Sequence, residues 1–330
     1  MMNAFFSSNE TIILPCDSKG IEKAVQLIRG GYPVGLPTET VYGLAADAFS
    51  GEAVARIYQA KGRPSFNPLI VHIAHIEQAA EIVEFNDEAL SLAQKFWPGA
   101  LTMVLPLKKD AKIASIVTAG LDTVAIRMPS HPVMRQVIKA FGHPLAAPSA
   151  NKSGSISPTT ALHVKESLNG KIAAVLDGGI ADKGLESTII YVGADEIKLL
   201  RPGPITSEEL AQSSHLPITE YKADGQNPVA PGQLVSHYAP SQPVRLNISQ
   251  KEADEWLIGF GDIAGDDNLS PSGDLTEAAA HLFSALHRGE KSAYPRIAIA
   301  PIPLEGIGKA INDRLGRAAA PRDEQNTSQK

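Results

Sequence analysis

Short apolar runs alternate with segments of helical period along most of this chain, and that alternation constrains its fold more than any other feature. Val34–Leu36, Pro68–Ile73, Leu101–Pro106, Thr123–Met128 and Leu145–Ala147 read as buried strands. Between them, helices are expected from an N-cap at Ser18 to Gly30, and over Glu52–Ala60, Ile76–Val83, Asp87–Phe96, His131–Phe141 and Thr159–Leu168. Thr11–Pro15 supplies another strand, and Ala173–Leu176, Ser187–Val192 and Ile197–Leu200 close this part of the chain. Adjacent strands with no crossover helix between them pair antiparallel, so the expected α/β sheet is mixed rather than purely parallel.

The first domain is expected to span residues 1–212. From 213 to 240 the periodicity fades and Pro, Gly, Asn and His take over, which reads as a linker. Residues 241–320 form a small βαβα unit. It has strands at Glu255–Phe260 and Arg296–Ala300, a helix marked by Leu275, Ala278, Ala279, Leu282, Phe283 and Leu286, and a last helix over Ile307–Ala318. The polar stretch 321–330 is expected to be a disordered tail. The length of 330 residues and a hydrophobic share of 43% allow two such cores.

A net charge of −6 argues against coating nucleic acid by bulk electrostatics, though it leaves room for a local basic pocket. The single cysteine, Cys16, excludes an intrachain disulfide and a cysteine-based zinc site, and fits a reducing compartment. MMNAFFSSNE lacks the cationic start and apolar core of a signal peptide, and no apolar run approaches bilayer length. The chain is therefore expected to be soluble and cytoplasmic.

Polar groups cluster where strands end. Pro144–Pro158 leaves a short strand as a loop carrying Ser149, Asn151, Ser153, Ser155 and Ser157, rich in hydrogen-bonding groups but without a strong base. By itself it reads more readily as an ordinary turn entering a helix N-cap. Lys61 and Arg63, two residues apart and flanked by Gly62 and Pro64, cannot share a helical face but can converge on one anion. The alternative is a solvated helix C-terminus. His72 alternates with Leu69, Val71 and Ile73, so it shares a face with Ile70 and is either a core residue or a ligand contact. Arg127 and Arg201 end apolar strands, as clamps or as surface ion pairs, and Gly184–Thr188 introduces another strand. Four cations at loop–strand junctions suit a polyanionic substrate such as a nucleoside triphosphate.

Motif absences narrow the chemistry. The chain has no P-loop, no nucleophile elbow, no Cys–His pair and no zinc-type histidine spacing. Gly259, Gly261 and Gly265 imitate a dinucleotide fingerprint with the wrong last spacing. Catalysis by positioning and electrostatics remains.

With these segments assembled, the chain resembles the YrdC-type threonylcarbamoyl-AMP synthases in their long, two-domain form. The resemblance rests on PTETVYGL (37–44), KGRPSFNPLIVHI (61–73), FWPGALTMVL (96–105), TVAIRMPSHP (123–132), APSANKSGSISPT (147–159), GLESTII (184–190) and LLRPGPI (199–205). APGQLVSHYAP (230–240) resembles the interdomain linker. The resemblance implies a YrdC-like open twisted mixed sheet with helices, followed by a small Rossmann-like domain.

The activity it implies is nucleotidyl transfer. L-threonine takes up bicarbonate or CO2 as a carbamate, which attacks the α-phosphorus of ATP and releases pyrophosphate. Threonylcarbamoyl-AMP then serves modification of the tRNA adenosine next to the anticodon, through a downstream transferase machinery. By the same resemblance Lys61 and Arg63 are the catalytic cations, holding the ATP phosphates with Asn67. Thr123, Ser149, Ser157, Arg201 and His237 contact the nucleotide. Thr40, His72, Arg127 and Ser187 line the threonine site with the backbone of Ala147, and Arg127 meets the carboxylate. Mg²⁺ is expected with ATP, without an identified protein ligand, and no organic cofactor is implied. Whether tRNA binds directly is left open. Two other readings are a non-catalytic double-stranded RNA-binding module, which the acidic charge disfavours, and a carbamoyl-transfer module of the hydrogenase-maturation type, which the single cysteine disfavours.

Overall fold

The computed structural model describes residues 10–64, 66–221, 230–232 and 237–321. In chain order the elements begin with β1 (Ile12–Pro15), α1 (Ser18–Arg29), β2 (Val34–Leu36), β3 (Gly43–Asp47), α2 (Gly51–Lys61), β4 (Ile70–His72), α3 (Ile76–Ala80) and α4 (Asp87–Phe96). Next are β5 (Leu101–Pro106), α5 (Ser115–Thr118), β6 (Thr123–Arg127), α6 (Pro132–Phe141), β7 (Leu145–Ala146), α7 (Ala161–Leu168), β8 (Ala174–Asp177), β9 (Thr188–Val192) and β10 (Ile197–Arg201). The chain finishes with α8 (Ser207–Ala211), β11 (Ile218–Glu220), β12 (Val244–Leu246), β13 (Glu255–Gly259), β14 (Asp267–Asn268), α9 (Leu275–Lys291), β15 (Arg296–Ile299) and α10 (Gly308–Ala319).

Two sheets result. Eleven strands run in the order β1-β8-β2-β3-β7-β4-β6-β5-β9-β10-β11, and four in the order β12-β15-β13-β14. The large sheet is mixed: β4 and β6 pair parallel, while β3 with β7, β4 with β7, and β5 with β6 pair antiparallel. The small sheet is parallel throughout. The α/β class and the mixed sheet match the sequence reading.

Several local details differ from it. Asp17 rather than Ser18 caps α1, its carboxylate accepting from the Gly20 amide at 2.8 Å. β3 was not foreseen because Gly-Leu-Ala-Ala-Asp has no strand-like pattern; pairing with β2 and β7 overrides its weak propensity. β11 lies past residue 212, inside the stretch read as linker, and extends the large sheet through β10. β12 and β14, at three and two residues, were too short to show periodicity. Much of the expected linker (222–229 and 233–236) and most of the expected tail (322–330) lie outside the described residues.

Alternation along β4 divides the core as its sequence requires. Leu69, Val71 and Ile73 enter the main hydrophobic cluster, while Ile70 joins Val104, Ala125, Ile189, Leu200 and Ala230 on the opposite face. The two units share apolar packing: Val41, Ile156 and Leu185 cluster with Leu282, Phe283 and Ile311. Gly184, at φ +65°, permits this approach, since a Cβ there would meet backbone atoms of Ala280 at 2.4–2.5 Å.

Candidate active site

The register of β4 and β6 sets His72 directly beside Arg127, so both side chains leave the same face of the sheet. Ser187 enters β9 and Arg201 ends β10 on neighbouring strands. The loop after β7 closes one side of the pocket with Ala147 and Ser149. It is pinned in place: Leu44 N–H donates to Pro148 O, Ala150 N–H to Tyr42 O, and Ser153 N–H to Lys61 O. Pro231, Gly232, His237 and Tyr238 cover the pocket from the segment between the two sheets.

Of the residues singled out in the sequence, the pocket wall gathers Thr40, Arg63, His72, Arg127, Ala147, Ser149, Ser187, Arg201 and His237. Lys61, Asn67, Thr123 and Ser157 are not part of that wall. Lys61 lies beneath the loop, its Nζ donating to Ser149 O at 2.6 Å and Asn151 O at 2.5 Å. Asn67 is fully buried between Arg63 and β4. Ser157 donates its hydroxyl to Glu186 at 2.5 Å. Thr123 opens β6 at the end opposite Arg127, about 13 Å away along an extended strand.

Arg127 departs from the simple carboxylate clamp. Its Nη2 donates to Glu39 Oε1 at 2.5 Å, Nη1 to Thr40 Oγ1 at 2.9 Å and Nε to Gly99 O at 3.1 Å. Both members of the Glu39–Arg127 pair are buried. Burial pushes the Glu39 carboxyl up, but the charge and hydrogen bonds of Arg127 outweigh it and hold the acid below its ordinary value. Glu39 was missed because a glutamate inside PTETVYGL gives no sign of which cation it will meet.

The other three cations have a different status. Lys61, Arg63 and Arg201 are 1, 8 and 4% exposed, and no carboxylate among the described residues lies within ion-pair distance of them. Arg63 donates to Asn67 O and Pro68 O, and Arg201 to Ser187 O, Ser187 Oγ and Pro231 O. Burial pushes all three down, with Arg63 reaching about 10, and Arg63 also depresses Lys61. His237 is driven well below its ordinary value, first by burial and then by Arg63, Lys61 and Arg201. Buried charges without counter-charges cost several kcal/mol each, so this is a cavity whose electrostatics an anion would complete. Three polar side chains nearby also lack a hydrogen-bond partner among the described residues: the Asn67 amide at both ends, His237 Nδ1 and Tyr238 Oη. Such groups are costly unless a ligand or water satisfies them.

His72 is neutral. Burial, then Arg127, lowers it to about 3. Its Nδ1 donates to Ile70 O at 3.2 Å, leaving Nε2 as an acceptor. It can orient a hydroxyl or an ammonium group but is too weak a base to draw a proton at neutral pH.

His287 behaves similarly where the two units meet. It stacks on His163 at 3.8 Å, its Nε2 donates to Ser157 O, and burial followed by His163 lowers it to about 3. The unfolded chain takes up these protons below about pH 6.5 and the folded chain does not, so stability falls as pH drops from 6.5 towards 3. Each such histidine contributes up to about 1.4 kcal/mol per pH unit. Urea unfolding should show the loss between pH 7 and pH 5 shrinking by about 2 kcal/mol in His287→Gln; an unchanged loss would exclude the histidine as its source.

Among the described residues no group of three or more His, Cys, Asp or Glu could hold a metal ion, and no helix is long and apolar enough to cross a membrane. The pocket's Glu186 is engaged by Ser157 and Arg314. Among the described residues, then, a resident Mg²⁺ has no ready ligand set.

Fold and site together define a two-sheet α/β protein with a buried cationic pocket under an inter-unit strap. Residues 26–203 match the Sua5–YciO–YrdC family model, described as "Telomere recombination", and residues 205–320 match the model "Threonylcarbamoyl-AMP synthase, C-terminal domain". The threonylcarbamoyl-AMP synthase of Bacillus subtilis is 41% identical over 324 residues, covering 92% of this chain and 93% of its own. That of Schizosaccharomyces pombe is 40% identical over 376 residues, covering 96% and 92%. Pyrococcus abyssi Sua5, solved in complex with L-threonine, matches with a TM-score of 0.86 and 37% identity over 94% of this chain and 98% of its own. The chain belongs to the threonylcarbamoyl-AMP synthase family.

Proposed function

We propose that the protein makes L-threonylcarbamoyl-AMP from L-threonine, bicarbonate or CO2 and ATP, as a nucleotidyltransferase of the cytoplasm. The observation that carries this reading is the set of three buried cations without carboxylate partners among the described residues, two of which, Arg63 and Arg201, line the same pocket as Thr40, His72 and Arg127. Lys61, Arg63, Arg201 and the Asn67 amide receive the triphosphate, and Ser149 and His237 contact the nucleotide. The threonine carboxylate meets Arg127 in competition with Glu39, and its hydroxyl or amine meets Thr40 or His72. Lys61, Asn67, Ser157 and Thr123 act from outside the pocket wall: Lys61 from beneath the loop after β7, Asn67 from its buried place beside Arg63, Ser157 through Glu186, and Thr123 from the far end of β6.

The chemical step needs no protein nucleophile. A carbamate oxygen forms a bond to the α-phosphorus, the bond from that phosphorus to the bridging oxygen breaks, and pyrophosphate leaves with the electron pair. Cations placed before the reaction offset charge that moves onto the leaving group, which is where fixed electrostatics contribute most. Mg²⁺ enters with ATP as part of the substrate. The product serves tRNA modification through a separate transferase.

Protein incubated with ATP, threonine and bicarbonate should release pyrophosphate only when all three are present. Folded protein that releases none refutes the reading.

A further inference from the structure

The carboxylate of Glu186 is out of place in a pocket otherwise furnished with cations, and its partner comes from the other unit. Glu186 is 6% exposed and lines the same pocket as Arg63 and Arg201. Arg314, on α10, is fully buried and donates from Nε to Glu186 Oε2 at 2.9 Å. Its Nη1 donates to Asp313 Oδ2 at 2.6 Å, and its guanidinium lies 5.3 Å from the centroid of the Tyr238 ring. The other carboxylate oxygen of Glu186 accepts from Ser157. The carboxylate is thus held between a serine of the loop after β7 and an arginine of the small domain.

We infer that Arg314 is a positioning residue for the nucleotide pocket: it holds Glu186 away from Arg201 and so keeps the phosphate-binding cations free. Without Arg314, Glu186 keeps one hydroxyl partner and a buried negative charge. Arg201 is the nearby buried cation with no carboxylate partner among the described residues, and a Glu186–Arg201 pair would neutralise it. This gives the small domain a direct part in substrate binding, supplied by one side chain. Tyr238 carries the effect to the strap, because its ring packs against both Arg314 and Phe283 and stands edge-on to His237.

The inference rests on the function proposed above, and its test separates the two. Full-length Arg314→Met should raise the KM for ATP roughly 10- to 100-fold, the loss of one charge-assisted contact, with little change in the KM for threonine. Glu186→Gln combined with Arg314→Met should recover most of the lost ATP affinity, because the intruding charge is gone. Arg314→Lys, which keeps the cation, should stay within a few-fold of the parent and covers the case in which Arg314→Met does not fold. A double variant as impaired as Arg314→Met, or an Arg314→Lys as impaired as a charge-removing change, overturns the inference in favour of a packing role. Calorimetric ATP binding reads the same cycle without turnover, so absent pyrophosphate release with an intact binding cycle would count against the reaction and not against Arg314.

Discussion

Arg63→Ala is expected to lower kcat/KM for pyrophosphate release about 10²- to 10³-fold, the effect of removing one fixed donor from a developing charge. Its effect on the free protein is a contest between two terms. Losing the guanidinium strands Pro68 O, at about 1–3 kcal/mol, while Asn67 O keeps the Tyr58 hydroxyl at 3.0 Å. It also removes a buried charge that has no counter-ion among the described residues, which is worth several kcal/mol in the other direction. The melting temperature without ligand should therefore change little, while the rise produced by ATP disappears. A ligand at a hundred times its Kd stabilises a folded protein by about 2.7 kcal/mol, so thermal scans with and without ATP resolve the difference. Lys61→Ala strands two carbonyls held at 2.6 and 2.5 Å and should show the same pattern. An Arg63→Ala protein that keeps the full ATP-induced rise would remove Arg63 from the phosphate site.

Glu39→Ala, just behind the pocket wall, should produce a large loss of stability. It leaves Arg127 buried and unpaired, and breaking such a pair costs about 3–5 kcal/mol. Threonine-dependent turnover should fall with it, since Arg127 and Thr40 are held in one arrangement by three guanidinium contacts. If the amino-acid carboxylate binds Arg127, saturating threonine should return part of the lost stability by occupying the place of the missing glutamate. Urea unfolding with and without threonine measures both quantities. A loss below about 1 kcal/mol would mean that Arg127 finds another partner and that the pair is not what fixes the recess.

The parts of this molecule that could be read in advance were those with a local signature. Strands such as Leu101–Pro106 and helices such as Asp87–Phe96 have enough residues for hydrophobic period to show, and both are found at the expected bounds. β3 and β11 depend on neighbours far away in sequence, and nothing within them announces a strand. The same division applies to the pocket. Cations at strand ends were visible individually, because Lys and Arg are conspicuous beside Gly and Pro. What decides their chemistry is which of them meets a carboxylate. Arg127 meets Glu39 and Arg314 meets Glu186, whereas Lys61, Arg63 and Arg201 meet backbone carbonyls. The two ion pairs join residues 88 and 128 positions apart, so topology rather than local sequence decides them.

The order of the large sheet also has a consequence for how the chain comes into being. Ile12 of β1 lies in register with Ala174 of β8, its amide donating to Ala173 O, and β8 lies between β1 and β2. During synthesis the first strand therefore waits for its neighbour. At about 5–20 residues per second that delay is on the order of ten seconds. Ile12 and Ile13 are 54 and 39% exposed even in the finished fold, so during the wait an adhesive strand is left without its partner. Pairing over such distances also slows refolding relative to a helical protein of equal stability. In cells short of chaperones, yield rather than activity is where this architecture would first show strain.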